Sequence, residues 1–173
     1  MILPFSQQLN GKPTYFVEKV LNGLLRKEID PSGDLLTSVV EFARKSDATY
    51  GWTLENIYQV KPKFHTIRED KKNRWKVGTK IDFFINCRQK DMFRFAPVLP
   101  VVSIQRVFMT YLPQCGNGFE LSINGRKLAP NEIEILAIND GFDSIEEFEN
   151  YFISVMKDDE FSGKIIHWTD FKY

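Results

Sequence analysis

The sequence predicts an α+β fold in which a small mixed β-barrel is flanked by helices. Helical periodicity is found near the start of the chain and again near its end. The middle holds about five or six short runs rich in β-branched and aromatic residues, and a last apolar run follows the late helices. Short strands of this kind are typical of small barrels, and the helices would plug or flank the barrel.

The two early helices are predicted from the spacing of apolar residues. Residues 13–27 and 34–45 each place apolar side chains on one stripe, and Pro13 suits a first helical turn. Residues 46–63 are polar and aromatic without a clear period. We therefore expect a long connection there, in the form of a surface insert.

The two late helices are predicted from the residues at their ends. Residues 130–142 read as a helix that stops at Asp140, with Gly141 as a left-handed cap. The next helix begins with Ser144 as its N-cap, and Glu147 three positions later completes a capping box. Both helices carry many acidic residues.

The predicted strands share a high content of β-branched and aromatic residues. Asn124-Gly125 between alternating apolar residues indicates a type I′ hairpin turn. Prolines in the middle run force a bend or an edge there. The runs are residues 63–68, 79–89, 93–112, 119–128 and 163–171.

The composition favours one soluble, globular domain over residues 1–173. The chain has 173 residues, of which 43% are hydrophobic and 27% charged. The sequence contains no run of about 18 apolar residues, so no membrane helix is predicted. The first residues lack the features of a signal peptide. Cys87 and Cys115 are isolated, so a reduced, cytoplasmic setting is expected, with a disulfide between them as the less favoured alternative.

Charge is unevenly distributed although the net charge is zero. Residues 61–80 hold eight Lys or Arg and two acids, whereas residues 132–160 hold ten Asp or Glu and one Lys. The balance argues against a strongly basic nucleic-acid coat protein. A basic face that binds an anion locally and two solvated faces of opposite sign both remain open.

Three motifs follow one another in an order that resembles a known family. Residues 63–70 read KFHTIRED and place Lys63, Thr66 and Arg68 at the spacing K-x-x-T-x-R. A G-x-x-I strand start follows at residues 78–81, and Asp140-Gly141-Phe142 precedes an acidic helix and the last strand, KIIHWTDF. This order resembles the ASCH family, a branch of the PUA-like β-barrels. The likeness covers about residues 60–173 and the helix at 13–27, which leaves about residues 28–60 as a helical or loop insertion.

The resemblance implies two functions. PUA-like domains are often RNA-binding modules, which implies RNA or a nucleotide- or nucleoside-like ligand on a basic rim. Some small ASCH proteins look like amidohydrolases that deacetylate 4-acetylcytidine, with a catalytic lysine, threonine and glutamate. By position these are Lys63, Thr66 and Asp140 here. Aspartate in place of glutamate shortens the side chain by one methylene, so whether the chain is an enzyme stays open.

The chemistry of this set would require convergence of its side chains. A desolvated Lys63 could act as a base, Thr66 as a nucleophile or water-positioning group, and Asp140 as the proton donor to the leaving amine. Strand alternation places Lys63 and Thr66 on opposite faces, so we expect Lys63 at the very start of its strand. The alternative is that all three are ordinary surface, strand and turn residues.

The ligand-contacting residues are predicted from the basic run. Arg68 would hold a phosphate or an oxyanion, and we add Lys71, Lys72, Arg74 and Trp75 from the stretch that contains KKNRWK. Aromatic rings stack on bases beside basic grooves, although aromatics in small barrels are usually core. The other candidate rings are Trp52, Trp168, Phe83 and Phe84.

No metal or cofactor is predicted. His65, His167, Cys87 and Cys115 lack close ligand spacing, and we interpret both histidines as structural. Glycine-rich phosphate loops and hydrolase signatures do not occur in the sequence.

A third function class is a protein-interaction adaptor that uses residues 28–60 and the acidic helix at 143–156. The sequence leaves the oligomeric state open.

Overall fold

The protein folds as two compact α+β units. The computed structural model describes residues 1–9, 11–50, 54–115 and 118–173. Unit 1 comprises residues 1–64 and 78–100, and unit 2 comprises residues 65–77 and 101–173. The α+β class is confirmed. Whether the chain counts as a single domain with an insertion at about 28–60 stays a prediction.

Helices and strands alternate irregularly along the described chain. The helices are α1 (Phe16–Arg26), α2 (Leu35–Tyr50), α3 (Leu54–Gln59), α4 (Pro130–Asn139) and α5 (Ile145–Val155). The strands are β1 (Ile2–Pro4), β2 (Gln8–Leu9), β3 (Lys12–Pro13), β4 (His65–Arg68), β5 (Lys80–Ile85), β6 (Phe93–Arg94), β7 (Leu99–Pro100), β8 (Ser103–Tyr111), β9 (Phe119–Ile123), β10 (Arg126–Lys127) and β11 (Glu160–His167).

Unit 1 is organised around strand β5. β1 pairs with β5 in parallel, and β6 and β7 pair with it in antiparallel fashion. The rings of Phe5 and Phe83 stack at 6.0 Å, and Phe95 packs edge-on against Phe5 at 5.5 Å. Phe16 of α1 joins the same cluster at 6.4 Å from Phe5. Aromatic packing therefore ties the helix to the sheet.

The chain before β4 lies directly against α1. The amide N–H of Lys63 donates to the carbonyl of Lys19 at 2.8 Å, and the Lys63 amine sits 4.8 Å from the centre of the Phe16 ring. A Cβ on Gly23 would come within 2.5 Å of the Lys63 carbonyl oxygen. Only glycine allows the two backbones to approach this closely.

Two local predictions in unit 1 are wrong. Pro13 lies in β3 rather than in a helical turn, because the N–H of Thr14 bonds the carbonyl of Gln7 and α1 starts only after Tyr15, whose φ is 53°. The predicted connection at 46–63 is largely helical, since α2 continues to Tyr50 and α3 follows.

Unit 2 contains a five-stranded antiparallel sheet in the order β10-β9-β8-β11-β4. One face is buried along β8, where Ser103, Gln105, Val107 and Met109 alternate with more exposed residues. Helix α5 covers this face through edge-on contacts of Phe148 with Phe119 (6.2 Å) and of Phe152 with Phe161 (5.0 Å). The Asn124-Gly125 turn joins β9 to β10 with φ of 52° and 85°, as predicted.

The predicted barrel is not confirmed, since no sheet of the described residues closes on itself. In unit 2 the sheet ends at β4, where the Asp140 side chain accepts a hydrogen bond from the N–H of Ile67. The same described residues contain no helix with the length and hydropathy that a membrane span needs.

Alanine at position 23 should destabilise the protein despite its higher helix propensity. Gly→Ala in a helix gains about 1 kcal/mol, but the added Cβ must displace the backbone at Lys63, which should leave a net loss of about 1–3 kcal/mol in the free energy of unfolding. Urea unfolding of Gly23→Ala measures this. Thr37→Ala, at an exposed position of α2, is the control and should show no loss in the free energy of unfolding. Equal or higher stability of Gly23→Ala would contradict the close contact.

Candidate functional site

The acidic-glycine-aromatic step forms the end of helix α4. Gly141 has φ of 93° and its N–H donates to the carbonyl of Ile138, while the N–H of Phe142 donates to that of Ala137. These two bonds form a Schellman motif, which confirms Gly141 as a left-handed cap. Asp140 is thereby fixed at the last position of the helix.

Asp140 reaches the strand that carries the K-x-x-T-x-R motif. Its Oδ1 accepts a hydrogen bond from the N–H of Ile67 at 3.0 Å and lies 3.4 Å from Nδ1 of His65. The Asp140 side chain is only 6% exposed, so both contacts are shielded from water. Two motifs separated by more than seventy residues therefore meet in unit 2.

His65 links Asp140 to a tyrosine hydroxyl. Its Nε2 lies 2.6 Å from Oη of Tyr173, and Nδ2 of Asn139 donates to the same oxygen at 3.0 Å. Burial raises the pKa of Tyr173, so the hydroxyl keeps its proton. A tyrosine O–H that donates to Nε2 leaves the imidazole proton on Nδ1, facing Asp140. Carboxylate, imidazole and phenol thus form a buried chain in which the imidazole–phenol contact is a hydrogen bond and the carboxylate–imidazole contact is a close approach at 3.4 Å.

His167 lies beside this chain with no hydrogen-bond partner for either ring nitrogen among the described residues. The sheet register places it directly between His65 on β4 and Ser103 on β8, and the two imidazole centres are 5.2 Å apart. Burial is the main reason why the pKa of His167 falls from 6.5 to about 3. The electrostatic effects of His65 and Lys172 lower this pKa further, and Asp140 opposes the shift. His167 is therefore neutral in the folded protein.

The loop after β4 is anchored by Asp70. Its carboxylate accepts the N–H groups of Arg74 and Trp75, both at 2.9 Å, and the ammonium of Lys164 at 2.8 Å. Lys164 also donates to the Trp75 carbonyl at 3.2 Å. Burial opposes ionisation of Asp70, but these hydrogen bonds outweigh it and lower its pKa. Asp70 is therefore charged, and its hydrogen bonds hold the start of the loop at Asp70 against Arg74 and Trp75.

The anchored loop presents its cations to solvent. Lys71, Lys72, Arg74 and Lys76 are all exposed, and Lys71 forms an ion pair with Glu69 at 3.1 Å. Trp75 is only 6% exposed, so its ring belongs to the interior of the unit. Its predicted stacking on a base stays a prediction, and its burial favours the core role.

Arg68 lines a cavity of about 230 Å³ in unit 2. The other lining residues belong to β4, to α5 and to the start of β11, together with Glu69 just after β4 and Lys157 between α5 and β11. Burial lowers the pKa of Arg68, whereas Asp140 and Tyr151 oppose that shift. Arg68 thus lies within the electrostatic reach of Asp140.

The predicted catalytic residues fall in different units. Thr66 and Asp140 lie in unit 2 and are 3% and 5% exposed, while Lys63 lies in unit 1, against α1. β4 begins only at His65, so Lys63 precedes the strand and the prediction that it starts the strand is wrong. The joint catalytic role of the three residues stays a prediction.

The remaining aromatic candidates are mostly interior. Trp168 and Phe83 are 1% and 0% exposed, Phe84 is half-buried, and Trp52 lies outside the described residues. The described residues contain no cluster of three or more side chains suited to a metal ion.

The sequence did not indicate Tyr173 and Asn139, and it led us to interpret His65 and His167 as structural residues. Their proximity depends on the β4–β11 register, which pairs His65 with His167. The available signal was the occurrence of both histidines in β-rich runs at opposite ends of the motif set. Such runs do not by themselves fix a register.

Removal of His167 should reduce the acid sensitivity of folding. Between about pH 6.5 and about pH 3 the unfolded chain binds a proton at His167 that the folded state lacks, so stability falls as pH is lowered, by up to ~1.4 kcal/mol per unit. When the pH is lowered from about 7 to about 5, the free energy of unfolding should fall by about 2 kcal/mol less in His167→Leu than in the wild type. Urea unfolding at each pH measures this difference. Ser103→Ala is the control and should keep the wild-type pH slope. An unchanged slope in His167→Leu would contradict a neutral, buried imidazole.

Comparison with known proteins finds no relative of this chain. No family model, curated protein or solved structure matches the chain. A function for the protein therefore has to be inferred from the anchored basic loop, the cavity beside Arg68 and the buried chain at Asp140.

Proposed function

We propose that the protein binds RNA or a nucleotide-like ligand through the exposed basic loop of residues 71–76. We also propose that it does so as an ASCH-type member of the PUA-like barrels, the family whose motif order it resembles. The observation that carries the binding proposal is the Asp70 anchor, which holds a short, strongly cationic loop in one conformation.

Fixed cations suit a phosphate backbone. Lys71, Lys72, Arg74 and Lys76 lie within six residues, and all are exposed. Phosphate contacts by such residues release counterions and supply most of the sequence-independent affinity for nucleic acids. Because Asp70 and Lys164 already order the loop, little conformational entropy is lost when a ligand binds.

Neutralising the loop should weaken RNA binding and its salt dependence together. We expect the triple variant Lys71→Gln, Lys72→Gln, Arg74→Gln to lower affinity for single-stranded RNA and to reduce the slope of log K against log salt by about 2. Fluorescence anisotropy between about 50 and 200 mM salt measures both quantities. The matched control neutralises Arg88, Lys90 and Arg94, which are exposed in unit 1.

A second variant separates loop order from simple charge. Asp70→Ala removes a negative charge, so electrostatics alone would strengthen RNA binding. If the anchor matters, binding weakens instead because the loop loses three hydrogen bonds to its carboxylate. Absent or salt-independent binding in the wild type would reject the proposed function.

The alternative function is an amidohydrolase that deacetylates 4-acetylcytidine-type substrates. It is supported by one observation, namely that Asp140 contacts the strand of Thr66 at the neighbouring residue, Ile67. In this proposal water cleaves the amide to give acetate and the free exocyclic amine, and Asp140 supplies the proton to the leaving amine.

The hydrolase is tested by cytidine release from 4-acetylcytidine. Asp140→Asn keeps an oxygen that can accept from Ile67 N–H but removes the proton-transfer group, so the rate should fall by about 10²- to 10⁴-fold. Lys63→Ala should abolish turnover as well. Absence of turnover in the wild type, or unchanged turnover in these variants, would remove this alternative.

A further inference from the structure

The cavity beside Arg68 has the size of a small ring system. Its volume is about 230 Å³, below the roughly 300–1,000 Å³ of sites that hold drug-sized ligands. The walls come from the end of β4, one side of α5 and the first residues of β11, and all of them lie in unit 2. A single planar group is therefore a better match than an extended ligand.

Aromatic side chains form part of the wall and are held by their neighbours. Tyr151 and Phe161 each pack edge-on against Phe152, with ring centres 5.1 Å and 5.0 Å away. All three line the cavity. Rings fixed in this way offer stacking surface at little cost in side-chain entropy.

The charged residues of the wall balance one another. Arg68 and Lys157 oppose Glu69 and Glu160, and Ser162 adds a hydroxyl. The wall thus offers both hydrogen-bond donors and acceptors with no net charge. That combination suits an uncharged heteroaromatic ring with polar edges more than a bare anion, because guanidinium and carboxylate groups pair with complementary base edges.

The cavity and the basic loop are consecutive in the chain. Arg68 and Glu69 line the cavity, Asp70 is the loop anchor, and the first exposed lysine is Lys71. Three residues span at most about 11 Å. A ligand that combines a ring with phosphates could therefore contact both features.

We propose that the cavity walled by Tyr151, Phe161 and Arg68 receives one nucleobase of the RNA or nucleotide whose phosphates contact the basic loop. This proposal rests on the proposed function and adds a base-binding subsite to it. The base would stack on the aromatic wall, while Arg68 and the acidic residues pair with its edge.

Ribose 5-phosphate is the probe that separates base binding from phosphate binding, because it lacks only the base. Isothermal titration calorimetry of the wild type with each of the four nucleoside 5′-monophosphates and with ribose 5-phosphate gives the affinity for each ligand. We expect at least one nucleotide to bind about 5- to 100-fold more tightly than ribose 5-phosphate, the range that stacking of one base supplies.

Variants then locate the base. Tyr151→Leu and Phe161→Leu should each reduce the preference for nucleotides while leaving the affinity for ribose 5-phosphate unchanged. Phe108→Leu, an exposed ring elsewhere on the sheet of unit 2, is the matched control and should keep the preference. Circular dichroism of each variant confirms that the fold is retained.

The outcomes distinguish this proposal from the proposed function. Salt-dependent RNA binding with equal affinities for nucleotides and ribose 5-phosphate would reject the base subsite and keep the loop. A base preference that survives both leucine variants would also reject this cavity as its site. Absence of binding to RNA and to every small probe would reject both proposals.

Discussion

The hydrogen bond from Ile67 N–H to the Asp140 carboxylate is the contact on which the organisation of unit 2 depends. A buried N–H without a partner costs about 1–3 kcal/mol, and at an edge strand it also invites pairing with another strand. Asp140 satisfies this N–H with a side chain, so the sheet can end at β4. The same carboxylate lies 3.4 Å from His65 and thereby joins the strand edge to the buried chain that reaches Tyr173.

A second carboxylate continues this arrangement along the chain. Where β4 ends, Asp70 accepts two further backbone N–H groups and the ammonium of Lys164. Residues 65–77 are thus fixed by one buried and one loop-anchoring aspartate. Without the second anchor, the cations of the loop would repel one another and favour many loop conformations. The fixed loop therefore presents its positive charges in one defined arrangement.

The features predicted correctly from sequence are those set by short-range chemistry. Asn124-Gly125 and Gly141 need positive φ, and their neighbours reveal the turn and the helix end. The structure also bears out Ser144 as an N-cap, since its Oγ accepts from the N–H of Glu147 at 3.2 Å. The Glu147 side chain instead reaches the N–H of Asp143 at 3.4 Å. Local pattern therefore specifies helix ends well, and the side-chain detail less well.

The features that sequence could not give depend on tertiary contacts. His65 and His167 become neighbours only through a strand register that aligns residues about a hundred positions apart. Trp75 looked like a surface ring because lysines and an arginine surround it, but the Asp70 and Lys164 contacts to its backbone turn this position inward. Asp140 shows the same dependence. From the C-cap of α4 its short side chain reaches Ile67 N–H at 3.0 Å, a contact that only the tertiary structure brings about. The hydrogen bond to Ile67 thus gives Asp140 a structural role that does not depend on catalysis.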